Sequence, residues 1–370
     1  MKIKSVGEAR TILSNPLSHH NYFGWPSVAR LQNGAIAVVC SGYRCEHICP
    51  FGKAVMALSF DEGETYTGAW PVIDTPLDDR DAGVVPFGER GVIFTSFNNT
   101  RAAQRGWNPV LPEQAQELRL RNRYFQAYLD TVPDAQESAF LGATFRLSFD
   151  CGQTFGLLRR SPVTSPHGPA VLSDGSLLWV GRTFSADDRF SAENRLEAWR
   201  VNPDGTMDFV GAVPDVYQNG ARVDACEPHT IELADGTLLC HFRGEGGGLF
   251  TTYQTRSRDG GKTWSAPEQL LSDRGGAPAH LLRHSSGALV SVYGYRTGPL
   301  YGVRAMLSAD GGESWEKDLI LWQTPVSGDL GYPATAELSD GALLTVFYAK
   351  DEEPGPAVIK QIRWEPDLSE

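Results

Sequence analysis

One hairpin unit recurs six times along this chain, and no other feature narrows its fold as much. The copies read GWPSVARLQNGAIAVV, DAGVVPFGERGVIFTSF, HGPAVLSDGSLLWVG, EPHTIELADGTLLCHF, APAHLLRHSSGALVSVYGYR and GYPATAELSDGALLTVFYA. Each opens on small residues or proline, alternates apolar positions, turns at a glycine and returns through a second apolar run. The turn glycines are Gly34, Gly91, Gly175, Gly236, Gly287 and Gly341. A two-residue hairpin turn needs positive φ, which glycine supplies without a steric cost. Most of these glycines stand roughly 50–60 residues apart, enough for one four-stranded blade per repeat. The spacing therefore predicts an all-β, six-bladed β-propeller that uses residues 1–370 as one domain.

A second motif runs in phase with the hairpins. It reads SFDEGETY from Ser59, SFDCGQTF from Ser148, SRDGGKTW from Ser257 and SADGGESW from Ser308. This is the Asp box. Its aspartate caps its own turn through side-chain to backbone hydrogen bonds, so Asp61, Asp150, Asp259 and Asp310 are structural. Blade three carries only a degenerate version near Asn202-Pro203-Asp204-Gly205, and blade six carries none. The widest interval, Gly91 to Gly175, holds an insertion in blade two, in which residues 112–131 predict one helix packed on the flank, or a lid or dimer contact. Residues 3–14 are expected to give the outer strand of the last blade and so close the ring.

Composition removes several classes of function. The net charge of −12 argues against nucleic acid as a partner. No apolar run is long enough to span a membrane, and the first residues lack the apolar core of a signal peptide, so a cytoplasmic location is expected. The six cysteines read as free thiols, and Cys45-x3-Cys49 is a metal spacing without a second half.

The first strand of each blade lines a propeller's channel, so the leading residues of the six hairpins should converge. They are Trp25, Arg80 with Asp81, His167, Glu227 with His229, His280 and Tyr332. Three histidines at matched positions point to a site, to mutual hydrogen bonding around a wet channel, or to an axial metal ion. No other cofactor is expected, and no metal ligand is assigned. The far ends of the second strands carry Arg44, Arg182, Arg243 and Arg296, with Lys350 at the corresponding place in blade six. In an acidic protein such a cluster either pairs with neighbouring carboxylates or receives an anion, most simply a carboxylate held bidentately.

These residues resemble the sialidase (neuraminidase) superfamily over nearly the whole chain. The resemblance implies a six-bladed Asp-box propeller that cleaves a terminal sugar with a tyrosine nucleophile, an activating glutamate, an aspartate acid/base and three arginines on the substrate carboxylate. Tyr332 in GYPATAEL resembles the tyrosine. Glu227 in CEPHTIEL resembles the glutamate, and Arg243 its downstream arginine. Arg296 or Arg304 is similar to a further arginine, and Arg44 to the arginine that ends the first hairpin. Two positions depart from the pattern. Gly24-Trp25-Pro26 replaces Arg-Ile-Pro, and Cys45-Glu46-His47 stands where the acid/base aspartate belongs.

The leading expectation is an exo-glycosidase acting on a terminal, carboxylate-bearing sugar of a glycan. Tyr332 attacks, Glu227 takes its proton, and Asp81 or His47 protonates the leaving oxygen. Arg44, Arg80, Arg182, Arg243, Arg296, Arg304, His229, His280 and Trp25 are expected to bind substrate. The same residues also fit a lyase or rhamnosidase-type enzyme on a uronate-containing glycan, with His167 or Tyr332 as the base. A third reading is a non-catalytic glycan- or protein-binding propeller.

Overall fold

In the computed structural model, residues 1–184 and 194–367 are described. Their strands form six sheets, one per repeat, plus a two-stranded ribbon. Blade one is Tyr22–Arg30, Ile36–Arg44, Lys53–Ser59 and Trp70–Ile73, and blade two is Arg80–Phe87, Gly91–Phe97, Ala143–Ser148 and Arg159–Ser161. Blade three runs from Ala170–Val171 through Leu177–Thr183 and Leu196–Val201 to Met207–Ala212. Blade four is Asp224–Glu232, Leu238–Gly246, Leu249–Ser257 and Glu268–Gln269. Blade five is Ala279–Arg283, Leu289–Tyr295, Tyr301–Ser308 and Glu316–Thr324. Each inner strand packs beside the inner strand of the next blade, and blade six returns to blade one.

The N-terminal strands Lys2–Val6 and Arg10–Leu13 both pair with Ala357–Asp367, whose sheet continues to Leu343–Lys350 and Gly331–Glu337. The ring is thus closed by hydrogen bonds between the two ends of the chain, as the sequence led us to expect. Apolar side chains fill the spaces between neighbouring sheets. Val28, Ile36 and Val38 of blade one meet Ala334, Leu344 and Val346 of blade six in one cluster, each of these six at most 4% exposed.

The four Asp boxes share one hydrogen-bond pattern. In the first, the Ser59 hydroxyl donates to Asp61 (2.7 Å), the Gly63 N–H donates to Ser59 Oγ (2.9 Å), and the Thr65 N–H donates to Asp61 (2.8 Å). Those bonds, led by the Thr65 hydroxyl, hold the Asp61 carboxyl at about 2. The remnant in blade three is a plain hairpin turn, in which Asp204 accepts from the Thr206 N–H at 2.9 Å.

The insertion is larger than the helix expected at 112–131. It contains three helices: α1 (Arg101–Trp107), α2 (Gln116–Thr131) and α3 (Asp134–Phe140). The two short ones show too few turns for an apolar period to be visible; α1 instead starts at Thr100, whose hydroxyl accepts from the Ala103 N–H. Helix α2 packs on the segment that follows Arg44. Phe125 and Tyr128 enclose Phe51, with ring centroids at 5.6 and 4.9 Å, and Arg121 pairs with Glu46 at 2.7 Å. The insertion therefore buttresses a loop of blade one. No helix among the described residues is long and apolar enough to cross a membrane.

Candidate active site

The inner strands of blades one, two, four and six break register at the same place. The breaks fall between Gly24 and Ser27, Arg80 and Gly83, Cys226 and His229, and Gly331 and Ala334. Each bulge carries one non-glycine residue in the left-handed region: Trp25 (φ 53°), Asp81 (φ 47°), Glu227 (φ 53°) and Tyr332 (φ 47°). This conformation costs about 1–2 kcal/mol per residue and is retained where the surrounding structure demands it. A bulge re-aims a side chain out of the regular alternation. Here four of them turn an indole, two carboxylates and a phenol into one cavity of about 220 Å³ at the channel mouth.

Arg80, Arg182, Arg243 and Arg296 also line the cavity, with His47 and Glu245. Tyr332 and Glu227 are in direct contact, the phenol donating to Glu227 Oε1. Arg243 Nη1 donates to both Glu227 oxygens (3.1 and 2.9 Å) and reaches the Tyr332 hydroxyl at 3.5 Å. Burial first, and then the Glu227 charge, push the Tyr332 phenol well above its ordinary range. A free phenolate is therefore disfavoured. Tyr332 can react only while its proton passes to Glu227, with Arg243 and Arg296 holding the charge that develops on oxygen.

The arginines are not equivalent. Arg182 pairs with Asp224 (2.8 Å), and Arg243 with Glu227 and Glu245. Arg296 donates to the Leu330 carbonyl (2.8 Å) and the Tyr348 hydroxyl (3.2 Å), and lies 5.5 Å over the Tyr332 ring. Arg80 is only 6% exposed, its guanidinium lies 4.2 Å over Trp25, and its Nε and Nη1 make no hydrogen bond. Among the described residues the carboxylate oxygen paired with it, on Asp78, is 3.8 Å away.

Two expected binding arginines lie elsewhere. Arg44 is fully buried and held by both oxygens of Asp78, at 2.5 and 2.9 Å. It lies three residues further along its strand than Ser41, which pairs with the residue before the bulge as Arg243 does, and the connection into blade two places Asp78 against it. Arg304 belongs to the third strand of blade five, two strands from the axis, and pairs with Asp318 (2.8 Å) over the Tyr295 ring.

The axial histidines are a second correction. His167, His229 and His280 do meet on the axis, with centroids 4.3–5.4 Å apart, but they line a separate recess with Thr335 and Glu337, not the cavity. His229 stands two residues beyond the Glu227 bulge, so its side chain belongs to the next layer. His229 Nδ1 accepts from the Leu281 N–H (2.9 Å), and His280 Nδ1 from the Thr335 N–H (3.4 Å). In the neutral rings Nε2 therefore carries the proton, the wrong polarity for a cation. Among the described residues no group of three or more His, Cys, Asp or Glu is arranged to hold a metal ion. Cys45 and Cys49 are free thiols, with the Cys45 N–H donating to Cys49 Sγ at 3.3 Å.

Burial holds His167, His229 and His280 well below the usual imidazole range, and His241 at about 3. Their folded values lie below the unfolded one, so the unfolded chain binds more protons as pH falls below about 6.5. Stability is then lost, by up to about 1.4 kcal/mol per pH unit for each histidine that stays neutral. Asp79, raised by burial to about 7, works the other way as a single group. Denaturant midpoints are expected to fall between pH 7 and pH 5; a midpoint that holds or rises would remove these rings as the controlling groups.

Sequence reasoning missed Asp78 and Asp329. Asp78 opens the run DDRD before Arg80, and Asp329 stands three residues before Tyr332. Neither occupies a repeated position, so the register argument passed over both.

Six blades with in-phase Asp boxes define an Asp-box propeller with a charged pocket at its mouth. The chain belongs to the BNR repeat-like domain family, whose model matches residues 88–345. Among curated proteins none matches it. Among solved structures it is similar to a protein of unknown function from Dyadobacter fermentans, at 20% identity and TM-score 0.76, over 98% of this chain and 99% of that one. It is also similar to the intramolecular trans-sialidase of Ruminococcus gnavus, at 13% identity and TM-score 0.61, over 93% and 94% of the two chains. The α-L-arabinofuranosidase of Fusarium graminearum aligns at 14% identity and TM-score 0.64, over 97% of each chain. At these identities the likeness is one of fold, shared by proteins named for cleavage of different sugars.

Proposed function

We propose that this protein is an exo-acting glycosidase that removes a terminal, carboxylate-bearing sugar from a glycan. The observation that carries the reading is the Tyr332–Glu227 contact, bridged by Arg243 at the wall of the cavity. A binding platform has no need of a strained phenol against a strained carboxylate. A nucleophilic tyrosine needs both the acceptor for its proton and the cation beside it. The cavity of about 220 Å³ suits one sugar ring more than a chain. The proteins of similar fold that are named for sialidase and arabinofuranosidase chemistry support the class of reaction.

Arg80 and Arg296 supply the preference for an anion. Both line the cavity; Arg80 stands 3.8 Å from Asp78 and Arg296 bonds neutral oxygens, so neither guanidinium is neutralised by a close ion pair among the described residues. Arg80→Met is expected to weaken binding of a carboxylate sugar by about tenfold or more, with little effect on its carboxyl-reduced form. Calorimetric titration of both sugars into both proteins checks this; equal losses for the two sugars would exclude Arg80 as the anion receptor. The reading as a whole is tested by screening the purified protein against aryl sialosides, aryl glycosides and uronate polysaccharides, with products identified by mass. An unsaturated sugar product would transfer the site to elimination chemistry.

A further inference from the structure

The loop after Arg44 brings a second proton-handling group to the cavity. His47 lines it, packed edge-on against Trp25 with centroids 4.9 Å apart, and Tyr332 packs edge-on against the same indole at 6.5 Å. His47 Nδ1 lies 3.1 Å from Asp329 Oδ1 and 3.0 Å from the Tyr22 hydroxyl. The Tyr22 hydroxyl in turn donates to Asp329, at 3.1 Å from each oxygen. Asp329 also accepts from the Tyr348 hydroxyl (3.2 Å) and faces Lys350 Nζ at 3.6 Å.

This network fixes a tautomer. Tyr22 spends its proton on Asp329, so both neighbours of Nδ1 are acceptors and Nδ1 carries the hydrogen. His47 Nε2 is then left with a lone pair and makes no hydrogen bond to another of the described residues. We infer that His47 is the group that exchanges a proton with the bond under attack, and that Asp329 is the positioning residue that fixes its ring. The inference rests on the glycosidase reading above.

The steps balance. The cycle starts with His47 protonated at both nitrogens, Nε2 having taken a proton from solvent. As the Tyr332 oxygen bonds the anomeric carbon, its proton passes to Glu227, the bond to the leaving oxygen breaks, and that oxygen takes the proton from His47 Nε2–H. Water then bonds the anomeric carbon and gives its proton to neutral His47, and Tyr332 departs and recovers its proton from Glu227. The surroundings pull the ring both ways, with a net lowering of its pKa, so the protonated ring gives up its proton readily. Burial, Arg80 and Arg44 lower the His47 pKa, while Asp329 raises it. Burial by itself would raise Asp329, but His47, Lys350 and Tyr22 outweigh it and keep the carboxyl at about 2. Asp329 therefore stays an acceptor through both steps.

Two measurements test the pair. The first follows the His47 Cε1–H resonance against pH in wild type and Asp329→Asn, with no substrate present. Loss of the carboxylate is expected to lower the His47 pKa by about one unit or more; an unchanged value overturns the pair. The second compares phenyl and 2,4-dinitrophenyl glycosides of the sugar found in the screen. His47→Gln, at a side chain 41% exposed and safe to replace, is expected to slow the phenyl glycoside by about 100-fold or more. The dinitrophenyl glycoside needs no acid and should stay within about tenfold. Equal losses on both glycosides would overturn the role. If wild type turns over no glycoside, the glycosidase reading fails separately; His47→Gln is then read on a uronate polysaccharide by ultraviolet absorbance, and undiminished elimination overturns His47 as the base.

Discussion

Tyr332→Phe is expected to lower turnover by a factor on the order of 10³ or more while the protein keeps its fold. The substitution removes one oxygen from a residue that is 5% exposed. The ring still packs edge-on against Trp25 and near Tyr348. Glu227 loses its phenol but keeps two bonds from Arg243, at 2.9 and 3.1 Å, so no buried charge is orphaned. The stability cost should therefore stay near that of one hydrogen bond, about 1 kcal/mol. Chemistry should suffer far more, because among the described residues no other hydroxyl bonds Glu227. Glu227→Gln separates the roles: it keeps a partner for the phenol but removes the base, and it leaves Arg243 with Glu245 alone. Both variants are to be assayed on the same aryl glycoside, with thermal midpoints as the control for folding. Near-wild-type turnover by Tyr332→Phe would remove the phenol from the mechanism and leave His47 as the cavity's base.

The fold was legible because a propeller writes its period into the chain. Hairpin glycines, in-phase Asp boxes and an N-terminal strand with no partner of its own each followed from local chemistry that no tertiary contact overrides. The site was legible only where it shares that period. Trp25, Asp81, Glu227 and Tyr332 hold one repeat position, and the structure shows why: one bulge, used four times. The histidines hold nearly the same position, but His229 stands two residues past its bulge, and two residues carry a side chain about 6–7 Å along the strand, into another layer of the channel. Arg44 shows the opposite failure. Like Arg182 and Arg243 it stands towards the far end of a second strand, but it lies three residues beyond the position that pairs as Arg243 does, and a carboxylate from a connection between blades, invisible to any repeat, captures it. Asp329 was hidden for the same reason.

Asp78→Ala should be among the most destabilising single substitutions in this protein, at about 3–5 kcal/mol. Asp78 and Arg44 are both fully buried and meet through two parallel bonds. Asp78 Oδ2 also accepts from the Cys49 N–H at 3.3 Å and lies 3.8 Å from Arg80 Nη1. Truncation leaves one guanidinium fully buried and a second nearly so, with no counter-ion between them. It also disturbs the loop. Arg44 donates to the carbonyls of Glu46 (3.3 Å) and His47 (2.8 Å), so the pair sets the backbone that carries His47. Removing both charges tests this account. Asp78→Leu with Arg44→Met replaces the pair by apolar groups of similar bulk and should recover most of the stability, since the dominant cost is the unpaired charge. Activity should not return with it, because the loop carbonyls have lost their donor. Urea midpoints of the two single variants and the double variant decide the matter. A double variant as unstable as Asp78→Ala alone would mean that shape, not charge, dominates here. A double variant that is both stable and fully active would separate the buried pair from the placement of His47.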